Sequence, residues 1–147
     1  QETCHKVTRE VLLQLFQTLE LYKLPLDLII LKPNMVMPGL SHTPAATTAV
    51  AKATIDCFKE TVPAKIPGIV FLSGGQTEVE ATAHLNAMVK GHVDLPWTLS
   101  FSYGRALQAS FLKLWQGKEE NVHKAQAAFL HRCKMNSLAT LGQYEGE

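Results

Sequence analysis

The segment Asp27-Leu28-Ile29-Ile30-Leu31-Lys32-Pro33 closes an aliphatic run on an amine. Leu28 to Leu31 has the pattern of a strand buried on both faces. Pro33 lacks the N–H that would extend a ladder and sends the chain into a loop. A lysine held at such a strand end, where water is scarce, loses solvation for its charged form. The neutral amine that results attacks carbonyls and forms a Schiff base. The plainer reading of Lys32 is a lysine at the rim of a core, with its stem buried and its head in water. Two further segments suit an anion. Ser73-Gly74-Gly75 falls between an apolar run and a helix start. Adjacent glycines there let backbone N–H groups turn toward one point, at the positive end of the helix dipole. Ser102-Tyr103-Gly104-Arg105 repeats the arrangement, with a hydroxyl, a permissive Gly104 and a guanidinium able to fork onto a phosphate. The plainer readings are a tight turn for the first and a helix start with a solvated arginine for the second.

The elements that must position these residues alternate. Val7, Leu12, Leu15, Phe16 and Leu19 predict an amphipathic helix over roughly residues 3–22. The Lys32 strand follows. Ser41-His42-Thr43-Pro44 reads as a cap with an early proline, opening a helix to about Thr61 whose inner face is Val50, Ala53, Ile55 and Phe58. Ile69–Leu72 is a second strand. Thr77 with Glu80 is a capping-box pattern for a helix through Ala81, Leu85 and Met88. Trp97–Ser102 is a third strand. A helix from Tyr103-Gly104-Arg105 would bury Leu107, Phe111, Leu114 and Trp115. A last helix, from about Glu119 to Leu138, would bury Val122, Ala125, Phe129 and Cys133. The tail 142–147 has no clear structure. Strand–helix alternation with right-handed crossovers builds a parallel α/β layer, so Lys32, Ser73 and Ser102 all fall at carboxyl ends, on the face where such folds bind ligands.

Composition narrows the classes. The chain is 147 residues, 46% hydrophobic and 18% charged, as expected of a globular domain. A net charge of +1 with scattered basic residues gives no electrostatic case for nucleic acid or an anionic membrane surface. Cys4, Cys57 and Cys133 are odd in number and far apart, suggesting neither zinc nor a disulfide framework but thiols in a reducing compartment. The six histidines lack metal spacing and are expected at the surface or core edge. Carboxylates suited to proton transfer are missing from the carboxyl-end face. Asp27 lies at the wrong end of its strand, and Asp56, Glu60, Glu78, Glu80, Glu119 and Glu120 lie near helix starts or on helix faces. His42, in the loop after Lys32, is placed to reach that face; the plainer reading is an exposed loop histidine. The chain is short for a complete barrel of about 250 residues. Its opening at Gln1, straight into a helix, and parallel strands left at both sheet edges suggest a part of something larger.

Leu31-Lys32-Pro33-Asn34-Met35-Val36, Phe71-Leu72-Ser73-Gly74-Gly75-Gln76 and Ser100-Phe101-Ser102-Tyr103-Gly104-Arg105-Ala106-Leu107-Gln108 stand in the order seen in class I fructose-bisphosphate aldolases, and the chain resembles that family along essentially its whole length. Thr61-Val62-Pro63, Leu85-Asn86-Ala87, Gly117-Lys118, Glu120-Asn121 and Asn136-Ser137-Leu138-Ala139 add to the likeness. The resemblance implies the C-terminal portion of a TIM (β/α)8 barrel, residues 1–147 forming three parallel strands with surrounding helices in one incomplete domain. It implies that Lys32 forms the imine with fructose 1,6-bisphosphate or dihydroxyacetone phosphate. Ser73, Gly74, Gly75, Ser102 and Arg105 would hold substrate phosphate, with Gly104 added from the backbone argument. The imine is the electron sink, so no metal or other cofactor is implied. The family works in glycolysis and gluconeogenesis, usually as cytosolic homotetramers, and actin is a partner by analogy. This chain departs from the family in Met37, where threonine is usual. It also lacks the acid/base groups of earlier strands and the extension ending in tyrosine, a role Tyr144 sits too early to fill. The isolated chain is therefore expected to be inactive. A different Schiff-base aldolase, or a non-catalytic fragment that at most binds phosphate or partner proteins, are the alternatives.

Overall fold

The computed structural model describes residues 1–147. The chain runs α1 (Glu2–Leu21), β1 (Ile30–Leu31), α2 (Thr47–Thr61), β2 (Gly68–Phe71), α3 (Glu78–Gly91), β3 (Thr98–Phe101), α4 (Arg105–Trp115) and α5 (Val122–Thr140), with short 3-10 turns at Leu26–Leu28 and Glu119–Asn121. The three strands form one parallel sheet in the order β1-β2-β3. Ile30 pairs with Gly68 and Gly68 with Thr98; Phe71 pairs with Phe101. The ladder continues past the strands proper, with Leu72 N–H donating to the Pro33 carbonyl at 3.0 Å and Ser102 N–H to the Phe71 carbonyl at 2.9 Å. Pro33 thus removes a donor but keeps an acceptor in the sheet.

Side chains alternate across a strand, and burial divides the sheet into two unlike faces. Leu31, Ile69, Phe71, Leu99 and Tyr103 are buried on the helix-covered side. Ile30, Lys32 and Thr98 are exposed, and Val70, Leu72, Ser100 and Ser102 are half-buried, on the other. The core between sheet and helices holds Val50, Ile55, Phe58, Ile66, Leu85 and Met88, none more than 1% exposed. Phe58 stacks on Phe71 at a centroid distance of 5.8 Å.

The expectation of a first strand buried on both faces is corrected. Leu28 lies in the 3-10 turn and is 78% exposed, and Ile30 is 55% exposed. β1 pairs only with β2, and no helix covers the face that Ile30 and Lys32 share. Three helix boundaries or faces also differ. α2 begins at Thr47 without a side-chain cap, because its N-cap position is Ala46, which has no side-chain acceptor, while His42 N–H closes a turn on the Gly39 carbonyl at 2.9 Å upstream of it. α4 fully buries only Ala106; Leu114 and Trp115 are exposed.

α5 buries Ala125, Arg132, Asn136 and Ala139 rather than a Val122–Phe129–Cys133 stripe. The cause is polar. Arg132 donates to Thr82 Oγ1 at 2.6 Å and to the Glu78 carbonyl at 3.0 Å, and Thr82 Oγ1 bonds Asn136 Oδ1 at 2.7 Å. Such partners turn a charged residue inward. The tail is held as well. Asn86 pairs with both backbone groups of Tyr144, at 2.9 and 3.1 Å, and Tyr144 is buried.

Replacing Phe58 by alanine removes a fully buried ring and its stacking partner's contact. The expected loss is about 3–5 kcal/mol of unfolding free energy, read from urea denaturation.

Candidate functional site

The loop after β1 is anchored before it opens. Asn34 Nδ2 donates to Thr8 Oγ1 at 3.0 Å, and Val36 N–H donates to Thr54 Oγ1 at 2.9 Å. Met35 and Val36 are buried. Lys32, one residue before this anchored stretch, is therefore fixed in backbone but free in side chain. Within residues 1–147 it is exposed and makes no hydrogen bond or ion pair.

At the end of β2, Gly74 has φ +47° and Gly75 φ +84°. Both lie where L side chains are strained, so this turn needs its glycines. Ser73 is buried, and its carbonyl accepts two bonds from Gln76: from the backbone N–H at 2.9 Å and from Nε2 at 2.8 Å. Thr77 then caps α3. Its Oγ1 accepts from Glu80 N–H at 3.2 Å, and Glu80 Oε2 accepts from Thr77 N–H at 2.8 Å, so the expected capping box is present. These bonds from Thr77 hold the Glu80 carboxyl below its usual range.

At the end of β3, Ser102 is half-buried. Gly104 precedes α4 with φ −88° and open space where a Cβ would stand, so nothing local demands a glycine there. Arg105 is the first residue of α4, exposed and unpaired. Tyr103 between them is structural. It donates to the Ala81 carbonyl at 2.9 Å, and burial pushes its phenol pKa up. Glu78 accepts from Ser110 N–H at 3.0 Å and from the Ser110 hydroxyl, tying α3 to α4.

All three segments thus open on the same rim of the sheet. A cleft of about 620 Å³ lies there, lined among others by Asn34, Met37, His42, Leu72, Gly74 and Gly75. It joins the loop after Lys32 to the glycine turn; Lys32, Ser73, Ser102, Gly104 and Arg105 do not line it. No group of three His, Cys, Asp or Glu side chains converges as a metal set would. His42 reaches the cleft, as its loop position suggested.

Two residues escaped the sequence reading. Gln76 was visible only as the last letter of a motif. His84, expected at the surface or core edge, is buried, and its Nδ1 lies 2.6 Å from Gln76 Oε1. Burial depresses its pKa below 6.5, opposed by the nearby Glu80. The available signal was spacing, since Ala81, His84, Leu85 and Met88 form one helical stripe.

Comparison with known proteins gives the family. The family described as "Glycolytic: Fructose-bisphosphate aldolase class-I" matches residues 1–147, and the chain belongs to the class I fructose-bisphosphate aldolase family. It is 53% identical over 146 residues to fructose-bisphosphate aldolase 6, cytosolic, of Arabidopsis thaliana, covering 99% of this chain and 41% of that protein. It is 50% identical over 143 residues to fructose-bisphosphate aldolase 2 of Caenorhabditis elegans, covering 97% and 39%. A co-crystal structure of fructose-bisphosphate aldolase from Plasmodium falciparum in complex with TRAP and a small molecule inhibitor superposes with a TM-score of 0.95 at 47% identity, covering 99% of this chain and 42% of that one. The chain therefore spans about two fifths of the length of the relatives it matches.

Gly75→Ala is expected to cost about 1–2 kcal/mol in unfolding free energy, since the strain lies in the backbone and Leu40, at 3.8 Å from the added Cβ, leaves room. His84 gives a pH dependence. Its folded pKa is lowered, so the stability it permits is fully present above about 6.5 and is lost as pH falls through that value toward the folded one. Thermal unfolding followed from pH about 7 to about 5 should show a drop that His84→Asn, which cannot titrate, makes shallower.

Proposed function

We propose that this chain supplies the Schiff-base lysine and the phosphate cradle of a class I fructose-bisphosphate aldolase. The observation that carries the reading is the in-register parallel sheet, whose three carboxyl ends bear Lys32, Ser73-Gly74-Gly75 and Ser102-Tyr103-Gly104-Arg105 side by side. Family membership supports it. Neutral Lys32 attacks the C2 ketone of fructose 1,6-bisphosphate and water leaves, giving an iminium. As the C3–C4 bond breaks, its electron pair flows into the iminium to form an enamine, and glyceraldehyde 3-phosphate departs. Protonation of the enamine and hydrolysis of the imine release dihydroxyacetone phosphate and restore Lys32. The Ser73 hydroxyl, the Gly74 and Gly75 backbone N–H groups, Ser102 and the Arg105 guanidinium are the proposed phosphate donors, with Gly104 allowing close approach.

Two conditions follow from the geometry. Lys32 is exposed here, so shielding its amine from water needs further surface over the face it shares with Val70, Leu72, Ser100 and Ser102. Proton transfer at C4 also needs groups this rim lacks. Residues 1–147 are thus proposed as one incomplete part of a (β/α)8 barrel, belonging to a cytoplasmic, glycolytic homotetramer by likeness to the family. Actin remains a partner by analogy alone. The same exposure of Lys32 favours the second reading, a chain that binds sugar phosphate or partners without turnover.

In the enzyme carrying this segment, dihydroxyacetone phosphate with borohydride should fix substrate on Lys32, and Lys32→Met should abolish labelling. A label found on a different residue by peptide mass mapping would refute the assignment. The isolated 147-residue chain should cleave fructose 1,6-bisphosphate at least about a hundredfold more slowly than a complete enzyme, for want of general acid–base groups.

A further inference from the structure

We infer that His84 and Gln76 form a relay that holds the Ser73-Gly74-Gly75 turn in its anion-binding shape, so that His84, nearly two helical turns inside α3, is a positioning residue for substrate phosphate. The inference rests on the proposal that this turn receives phosphate. Its geometry is independent of that proposal. Gln76 Nε2 donates to the Ser73 carbonyl at 2.8 Å. That use of the amide nitrogen leaves Oε1 turned the other way, 2.6 Å from His84 Nδ1, and an amide oxygen can only accept. His84 Nδ1 therefore carries hydrogen and donates. Both side chains are at least 90% buried, so neither bond is exchanged for water without cost.

The relay acts where the turn is least able to hold itself. Gly74 and Gly75 are exposed, have positive φ, and offer no side chain to pack. Glycine pays the largest backbone entropy on being ordered. The Ser73 carbonyl is the last rigid point before them, and it is gripped from both sides by Gln76 N–H and Gln76 Nε2. His84 in turn is set by α3, whose Ala81, Leu85 and Met88 lie in the core. The chain of contact thus runs from core helix to imidazole, to amide, to carbonyl, to the two glycine N–H groups. Asparagine places an amide nitrogen where Nδ1 stands and preserves the donor. Alanine removes it and leaves Gln76 Oε1 buried without a partner.

The test uses the enzyme carrying this segment, labelled with nitrogen-15, with inorganic phosphate as the probe. Amide resonances of Gly74 and Gly75 are followed on titration, and their hydrogen exchange is measured without phosphate. In His84→Ala the expected result is phosphate affinity weaker by about five- to tenfold and faster exchange at both glycines, while His84→Asn stays within about twofold of wild type. Gln76→Leu should match His84→Ala, and it carries the comparison if His84→Ala does not fold. Wild-type affinity and exchange in both His84→Ala and Gln76→Leu, or an Asn variant as weak as the Ala variant, would overturn the relay while leaving the phosphate reading intact. Absence of any phosphate-dependent shift in the wild-type enzyme would instead overturn the phosphate reading, and the relay's proposed purpose with it.

Discussion

The backbone ladder joining β1, β2 and β3 sets everything else in this molecule. Because the strands are parallel and in register, a residue two steps beyond Ile30 stands level with Val70 and Ser100, and the loops that follow all leave on one rim. Leu72 N–H on the Pro33 carbonyl and Ser102 N–H on the Phe71 carbonyl carry the ladder to that rim. No side chain near the cleft could substitute for this. An amine and two anion-suited turns become neighbours through main-chain hydrogen bonds between segments some 30 to 40 residues apart in sequence.

The two faces of the sheet then diverge physically. One is sealed by helices and packed around Phe58, Phe71, Ile69 and Leu85. The other carries Ile30, Lys32, Thr98, Ser100 and Ser102 toward water. Rigidity on the sealed side positions the working side, since α2 and α1 grip the loop after Lys32 through Thr54 and Thr8, and α3 grips the glycine turn through Gln76 and His84. Polar groups do much of this inward holding. Arg132, Thr82 and Asn136 join α3 to α5 in the same manner, away from the rim.

Much of this was legible in the residues. Element order, the parallel sheet, the Thr77–Glu80 box and the shared rim all follow from patterns of period 2 and 3.6 and from turn chemistry, which are local properties. The glycine turn was legible too, because only Gly74 and Gly75 tolerate the φ values found. What misled was apolarity read without its neighbours. Leu28 and Ile30 look like a buried strand, yet their burial depends on what lies against them, and here nothing does. Phe129 looked like an inner residue, but α5 turns instead on Arg132 and Asn136, whose partners come from a helix about 50 residues earlier.

By itself, then, the order of residues determined which segments are helix, strand or turn, and which few side chains have the chemistry for imine formation and phosphate contact. These depend on torsional preference, on periodicity and on functional-group identity, all carried within a few positions. Tertiary structure alone decided that Lys32 shares a sheet face with Val70, Ser100 and Ser102, that Arg105 and Ser102 lie outside the cleft the glycine turn lines, and that His84 reaches Gln76. Solvation and long-range hydrogen bonding are properties of what surrounds a group, and no run of neighbouring letters contains its surroundings.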